Sequence, residues 1–377
     1  MTPSRIVPMR GRMPDEPHRA STPLELFFDL VFVVAIARAG VGLHHAIAEH
    51  HFAEGIIRYA MVFFGIWWAW MNFSWFASAY DTDDIPYRLT VFLIMTGVLI
   101  FTAGIPNMFA AQDFTLGVTG YVVMRLAMVI QWLRAARGDA AHHIAARRYA
   151  LGIALLQVYW VLLLLVPDRF FLAGFVTGAV VELLIPAWAE RVRMTPWHPH
   201  HIAERYGLMT IIVLGESVLA ASFATERAIE SGSALSDLAP LIVGGLLIVY
   251  SLWWFYFYRP MHQRLTSYRR AFIWGYGHFL VFGAAAAVGA GLAVALDQDT
   301  GKAAISTTAA GAAVAIPVAL YLGSLWFLHD RGEFGRIRYL TPLAVGLVLL
   351  TPLTGQPVLV TGLVLVTLLG IKLALLS

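Results

Sequence analysis

The chain has 377 residues, of which 59% are hydrophobic and only 13% charged; it carries a net charge of +3 and no cysteine. So few charges cannot clothe a soluble fold of this length, which excludes a soluble enzyme or binding module, and the same numbers exclude disorder, coiled coil and collagen-like repeats. The missing cysteines exclude disulfides, iron–sulfur clusters, thiolate metal sites and cysteine nucleophiles, and in so apolar a chain the small positive charge reflects loop arginines rather than a nucleic-acid partner.

The first 20 residues are polar and arginine-rich. The apolar stretch that follows, 22–42, contains Glu25 and Asp29, which a secretory signal would avoid, so it is read as a retained helix. Further apolar stretches occupy 56–79, 88–106, 115–135, 148–166, 170–190, 202–223, 239–258, 271–295, 304–328, 339–354 and 357–377. At roughly 20 residues per span they predict an all-α, polytopic transmembrane helical bundle of about 12 spans. The eleventh is short and flanked by Pro342 and Pro352.

The basic residues set the orientation. With the N-terminus in the cytoplasm, only Arg58, Arg169, Arg227 and Lys302 of the 26 Lys and Arg fall outside, and Arg38 and Arg125 fall within spans. The other twenty, from Arg5 to Lys372, fall on the cytoplasmic side, as the positive-inside bias requires of twelve spans with both termini inside. The expected location is a membrane, crossed several times.

An offset of 187 residues lays the second half on the first without gaps: Asp29 falls on Glu216, Trp67 on Trp254, Ala103 on Ala290 and Gly104 on Gly291. This predicts two six-span repeats in one orientation, related by an axis along the membrane normal. The segments are then 1–20, a cytoplasmic N-terminal stretch; 21–190, the first repeat; and 191–377, the second.

Charged groups in lipid-embedded helices are costly and need a partner or a task. Thr22-Pro23-Leu24-Glu25 has the form of a capping box, with proline at the first helical position. Asp29, one turn further on, cannot cap; it either pairs with an arginine or faces a transport pathway. Arg38, Arg125 and Glu182 lie within spans as buried charge partners, Arg125 and Glu182 at similar depth and expected to neutralise each other. Glu204 and Arg205 are read as interfacial charge. Glu216 lies twelve residues beyond Glu204, about 18 Å along a helix, near mid-membrane. It either pairs or works.

The repeat places Asp29 and Glu216 at equivalent points on the first helix of each half, where the axis would turn both towards a shared pathway. Phe28 and Phe32 beside one acid predict an apolar constriction; Gly215 and Ser217 beside the other predict a hydrated pocket. Asp81, Asp83 and Asp84 with Arg88 read as a charged turn, and the histidines of His44-His45-Ala46-Ile47-Ala48-Glu49-His50-His51 match no standard zinc spacing. No P-loop, nucleophile elbow, His-Glu-x-x-His or dinucleotide-binding glycine pattern occurs. The reading is therefore of a protein that is not an enzyme, with no cofactor and no metal.

TPLELFFDLVFVVAI, WWAWMNFSWFASAYDTDD followed by Arg88, GYVVMRL around Arg125, and HIAERYGLMTIIVLGESVLA resemble, in order and over nearly the whole chain, the bacterial low temperature requirement protein A family. The resemblance implies a polytopic protein of the bacterial inner membrane and no settled biochemical activity. Phe27-Phe28-Asp29-Leu30-Val31-Phe32 is also similar, more distantly, to the Phe-Ser-Asp opening of the lysosomal and bacterial potassium-channel family. There, six-span repeats line a pore with their first helices. Phe28 in place of serine, Leu30 in place of glycine and Glu216 in the second copy leave ion selectivity outside what that likeness implies. The expected function is movement of an ion or small solute as a channel or transporter. A proton-coupled secondary transporter and a non-transporting structural or sensory membrane protein are the alternatives. The partners are the lipid bilayer and a small ion or solute.

Overall fold

The computed structural model describes residues 6–13, 16, 19–230, 232, 234–265, 267–331 and 337–376. Arg5, Arg336 and Ser377 lie outside the described residues, as do the side chains of Ala224, Arg227 and Arg264. The described residues form helices and no strand: α1 (Pro23–Ala48), α2 (Phe52–Tyr80), α3 (Ile85–Ala110), α4 (Thr115–Gly138), α5 (His143–Leu163), α6 (Asp168–Ala189), α7 (Pro199–Glu230), α8 (Leu235–Phe257), α9 (Tyr268–Asp299), α10 (Thr307–Leu325), α11 (Ile337–Leu350) and α12 (Pro357–Leu376). Among the described residues nine helices are long and apolar enough to cross a membrane. Of the others, α2 bears Glu54, Arg58 and several tryptophans, α5 opens with Arg147 and Arg148, and α11 has only 14 residues.

The chain divides into two compact units, residues 1–38 with 61–205 and residues 39–60 with 206–377. In the first, every residue from Met61 to Tyr80 except Trp75 is buried, which accounts for an aromatic content no interface belt would need. α3 packs on α4, α4 on α5 and α5 on α6. The α3–α4 approach is backbone against backbone: a Cβ on Gly120 would lie 2.5 Å from the Gly97 carbonyl oxygen, so only glycine fits. Close packing through small residues is how helices associate where lipid removes the hydrophobic drive.

The polar turn after α2 fastens this unit at one end. Asp84 caps α3 through the Tyr87 amide at 2.9 Å, accepts both bonds of Arg134 at 2.9 and 2.7 Å, and accepts the Val7 amide at 3.0 Å. Asp83 holds Arg88 by two 2.7 Å bonds. The side chain of Asp81 is buried beside them and is pushed up to about 6, first by burial and then by the charge of Glu25; Arg19 and Arg12 act the other way.

In the second unit α9 is the enclosed helix, buried without a break from Val281 to Leu296. It packs on α10, and α8 packs on α12. Ser267 and Ser306 cap α9 and α10 by accepting the Arg270 and Ala309 amides at 3.4 and 3.1 Å. The residues after α10, Trp326–Asp330, form a π-helical turn.

Candidate functional site

At the start of α1 the Thr22–Glu25 capping box forms as its sequence requires. Glu25 Oε2 accepts the Thr22 amide at 2.8 Å and the Thr22 hydroxyl at 3.0 Å, and the Glu25 amide donates to Thr22 Oγ1 at 3.3 Å. The other carboxylate oxygen, Oε1, lies 3.1 Å from Nε2 of His201 on α7. One turn along, Asp29 Oδ1 accepts from Trp70 Nε1 and from Arg205 Nη2, both at 2.7 Å. Positions four apart share a helix face. Glu25 and Asp29 therefore present one acidic edge, and His201 and Arg205 the matching basic edge, giving two rungs between α1 and α7.

The third wall comes from α2 by the same spacing. Trp70 holds Asp29, Ser74 Oγ accepts from Arg205 Nη2 at 3.4 Å, and Ser78 Oγ accepts the His198 amide at 3.0 Å. All four rung residues are buried, at no more than 1% exposure. The site is only partly satisfied: Asp29 Oδ2, Arg205 Nε and Nη1, and His201 Nδ1 are buried and unbonded among the described residues.

Arg205 is thus not interfacial. The α7 helix starts at Pro199, so residue 205 lies in its second turn, on the face that meets α1, and Asp29 compensates its burial. Glu204, one position round, does stay near the surface, accepting the Ser21 amide at 3.1 Å. Arg38 is exposed on α1 and has no ion pair among the described residues, so it is not a buried charge partner; about two and a half helical turns past Asp29, it meets no acid among them. Phe28 and Phe32 are fully buried, with ring centroids 4.6 Å apart and Phe28 4.1 Å from Phe73. They form aromatic packing inside the first unit.

A second buried carboxylate in this unit is arranged differently. Glu182 Oε2 accepts from Arg125 at 2.9 Å and Trp68 at 2.8 Å, and Oε1 accepts from Tyr121 at 3.0 Å and Trp160 at 3.1 Å. Four donors from α2, α4 and α5 converge on one α6 carboxylate. It has no lone-pair direction left to take a new partner, whereas Asp29 has a whole oxygen unbonded.

In the second unit, Glu216 is half-buried on α7 and has no hydrogen bond or ion pair among the described residues. Gly215 before it is exposed, with open space where a Cβ would stand. Ser217 is buried and donates to the Val213 and Ala285 carbonyl oxygens at 3.3 and 3.1 Å. Small residues leave Glu216 accessible without forming a closed site around it. At one end of the same unit a cavity of about 440 Å³ is lined by Asp237, Gln298, Asp299, Thr307 and Gln356 among others. His44 Nε2 lies 2.7 Å from Asp297 Oδ2 and His50 Nε2 lies 3.2 Å from the Ala304 carbonyl oxygen, so these histidines fasten the chain.

His201, Trp70 and Ser74 are not among the residues expected from sequence. The signal that finds them is the shared i,i+4 spacing of Glu25–Asp29, His201–Arg205 and Trp70–Ser74.

No solved structure matches the chain. An uncharacterized protein of Rhizobium meliloti (strain 1021) is 28% identical over 250 residues, which cover 64% of this chain and 58% of that protein. The model of the bacterial low temperature requirement A protein family matches residues 20–376, so the apolar helical chain with its paired buried charges is an integral membrane protein that belongs to this family.

Proposed function

We propose that the chain moves an ion or small solute across the bacterial inner membrane as a proton-coupled secondary transporter. Its twelve spans form two six-helix halves with both termini in the cytoplasm, and Asp29 and Glu216 each mark the pathway in their own half. The observation that carries this reading is the double rung of Glu25–His201 and Asp29–Arg205. Burying two acid–base contacts side by side gains little stability, because desolvation offsets most of the attraction. Leaving several of their atoms unbonded gains less. Such an arrangement suits an element with two states, in which the carboxylates are released from α7 and proton uptake compensates their charge. The Glu25–His201 rung is an ion pair only while the imidazole carries a proton, which gives it a natural trigger. A carboxylate held by arginine also fits a carrier better than the lining of an open channel.

Helix boundaries support the two halves. At the offset of 187, α3 falls on α9, α4 on α10, α5 on α11 and α6 on α12. Gly104 and its counterpart Gly291 each mark the close approach of their own helix pair, to the Gly117 backbone and the Ala313 carbonyl. α2, with 29 residues, and α5, with 21, have the length to span at about 1.5 Å per residue.

Two experiments test the reading. Reporter fusions after Asp113 and after Asp299 should both report the outer side, and a cytoplasmic signal at either breaks the topology. The purified chain in liposomes with a pH-sensitive interior dye, screened against gradients of monovalent cations, anions and amino acids, should move protons only with its solute. Solute flux that ignores the proton gradient returns the channel reading. No flux under any gradient leaves the structural or sensory role.

A further inference from the structure

The second unit contains a buried cluster that transport through Asp29 or Glu216 does not use. It sits where α10 passes into its π-turn, a departure from regular helix that often accompanies function. His329 and Asp330 on the turn are both buried, as are Lys372 on α12 and His278 on α9. The Lys372 ammonium lies 2.5 Å from Asp330 Oδ2, while the Tyr258 hydroxyl donates to the other oxygen of that carboxylate. Both oxygens of Asp330 are thereby engaged.

The hydrogen bonds fix where the imidazole protons are. The His278 Nδ1 lies 2.7 Å from the Trp274 carbonyl oxygen, which can only accept, so Nδ1 carries the hydrogen; Nε2 then accepts from the Tyr256 hydroxyl at 3.0 Å. The Trp274 indole N–H can only donate, and its partner is His329 Nε2 at 3.2 Å. That nitrogen therefore carries no hydrogen. Both histidines are neutral. His278 has its acceptor nitrogen closed by a hydroxyl that can reverse its role. His329 has its acceptor closed by an indole that cannot.

We propose that His329 is a proton-binding site of the second unit, and that the Trp274 indole is the group that registers its occupancy. A proton from hydronium is taken by the Nε2 lone pair: one O–H bond breaks, water is left, and the N–H bond formed gives the imidazolium. Two donors then face each other, so the Trp274–His329 hydrogen bond is lost and the indole must move. Its movement is not local, because the Trp274 ring packs 4.2 Å from His278 and 4.6 Å from Tyr206. Tyr206 belongs to α7, the helix that carries Glu216 further along.

The groups facing His329 are compatible with added charge. Asp330 is the next residue; Lys372 and Tyr258 face it from α12 and α8; Tyr256 and His278 lie with ring centroids 5.8 and 6.4 Å from His329. Arg331, the following residue, is exposed, so the turn lies one residue from solvent and a proton has a short way in. The site does not depend on any solute crossing the membrane.

The test uses the full chain in lipid nanodiscs and reads Trp274 alone, as the difference in tryptophan emission between wild type and W274F. An imidazolium beside an indole quenches it, so this difference should be lost in a one-proton step between about pH 8 and about pH 5. In H329Q, or in H329N should the glutamine variant not fold, the difference should not respond to pH. A wild-type difference that is flat across the range, or a step that persists without His329, overturns the proposal.

Discussion

Arg205 reaches Asp29 through one nitrogen, Nη2, at 2.7 Å, while its Nε and Nη1 are buried without a bond and Asp29 keeps Oδ2 unbonded. The two charges neutralise each other without saturating each other. This separates the pair from Glu182, whose two oxygens each accept two donors.

Removing one partner of the Asp29–Arg205 pair should expose the cost of the other. D29N and R205Q should each lower stability by about 3–5 kcal/mol, the range for breaking a buried ion pair. The double variant should regain much of that loss, since no uncompensated charge remains. Thermal melts of all three in one detergent, plotted as a double-mutant cycle, decide it. Additive losses would mean the contact carries no coupling.

Glu182 should behave differently in the same experiment. E182L should be as damaging, but R125M/E182L should recover only partly. Trp68, Tyr121 and Trp160 would still lose the carboxylate they share with Arg125, and each buried donor left unbonded costs about 1–3 kcal/mol. Full recovery in the double variant would mean that the arginine alone makes Glu182 necessary.

Among the described residues Glu216 has no hydrogen-bond or ion-pair partner to strand. E216Q should therefore leave the melting temperature close to wild type while abolishing proton-coupled flux in liposomes. A folded E216Q chain with undiminished flux would remove Glu216 from the pathway.

Asp81 gives a pH signature outside the spans. Burial raises it from 3.8 to about 6 in the fold. The folded chain then binds more protons than the unfolded one between those values, so stability falls as pH rises through that window. A shift of this size corresponds to roughly 3 kcal/mol at most. D81N should remove this decline and melt higher than wild type at neutral pH, with little difference under acid. Parallel melting curves for the two chains across that window would count against it.

Composition and periodicity alone determined that this chain is a helical membrane protein, because an apolar stretch of span length has few other ways to satisfy its backbone. The capping box at Thr22–Glu25 was equally legible, since Pro23 and the three-residue spacing act within one turn. Partnership was not. That Arg205 belongs to Asp29, and Lys372 to Asp330, depends on which helix faces meet across 176 and 42 residues of chain. Charge near a helix end reads as interfacial until a neighbouring helix covers it. The tertiary structure also decided which carboxylates are saturated. Glu182 gathers Trp68, Tyr121, Arg125 and Trp160 from three other helices, and no local pattern in any of them announces a shared acceptor. A sequence states how polar a position is; only packing determines how many donors reach it.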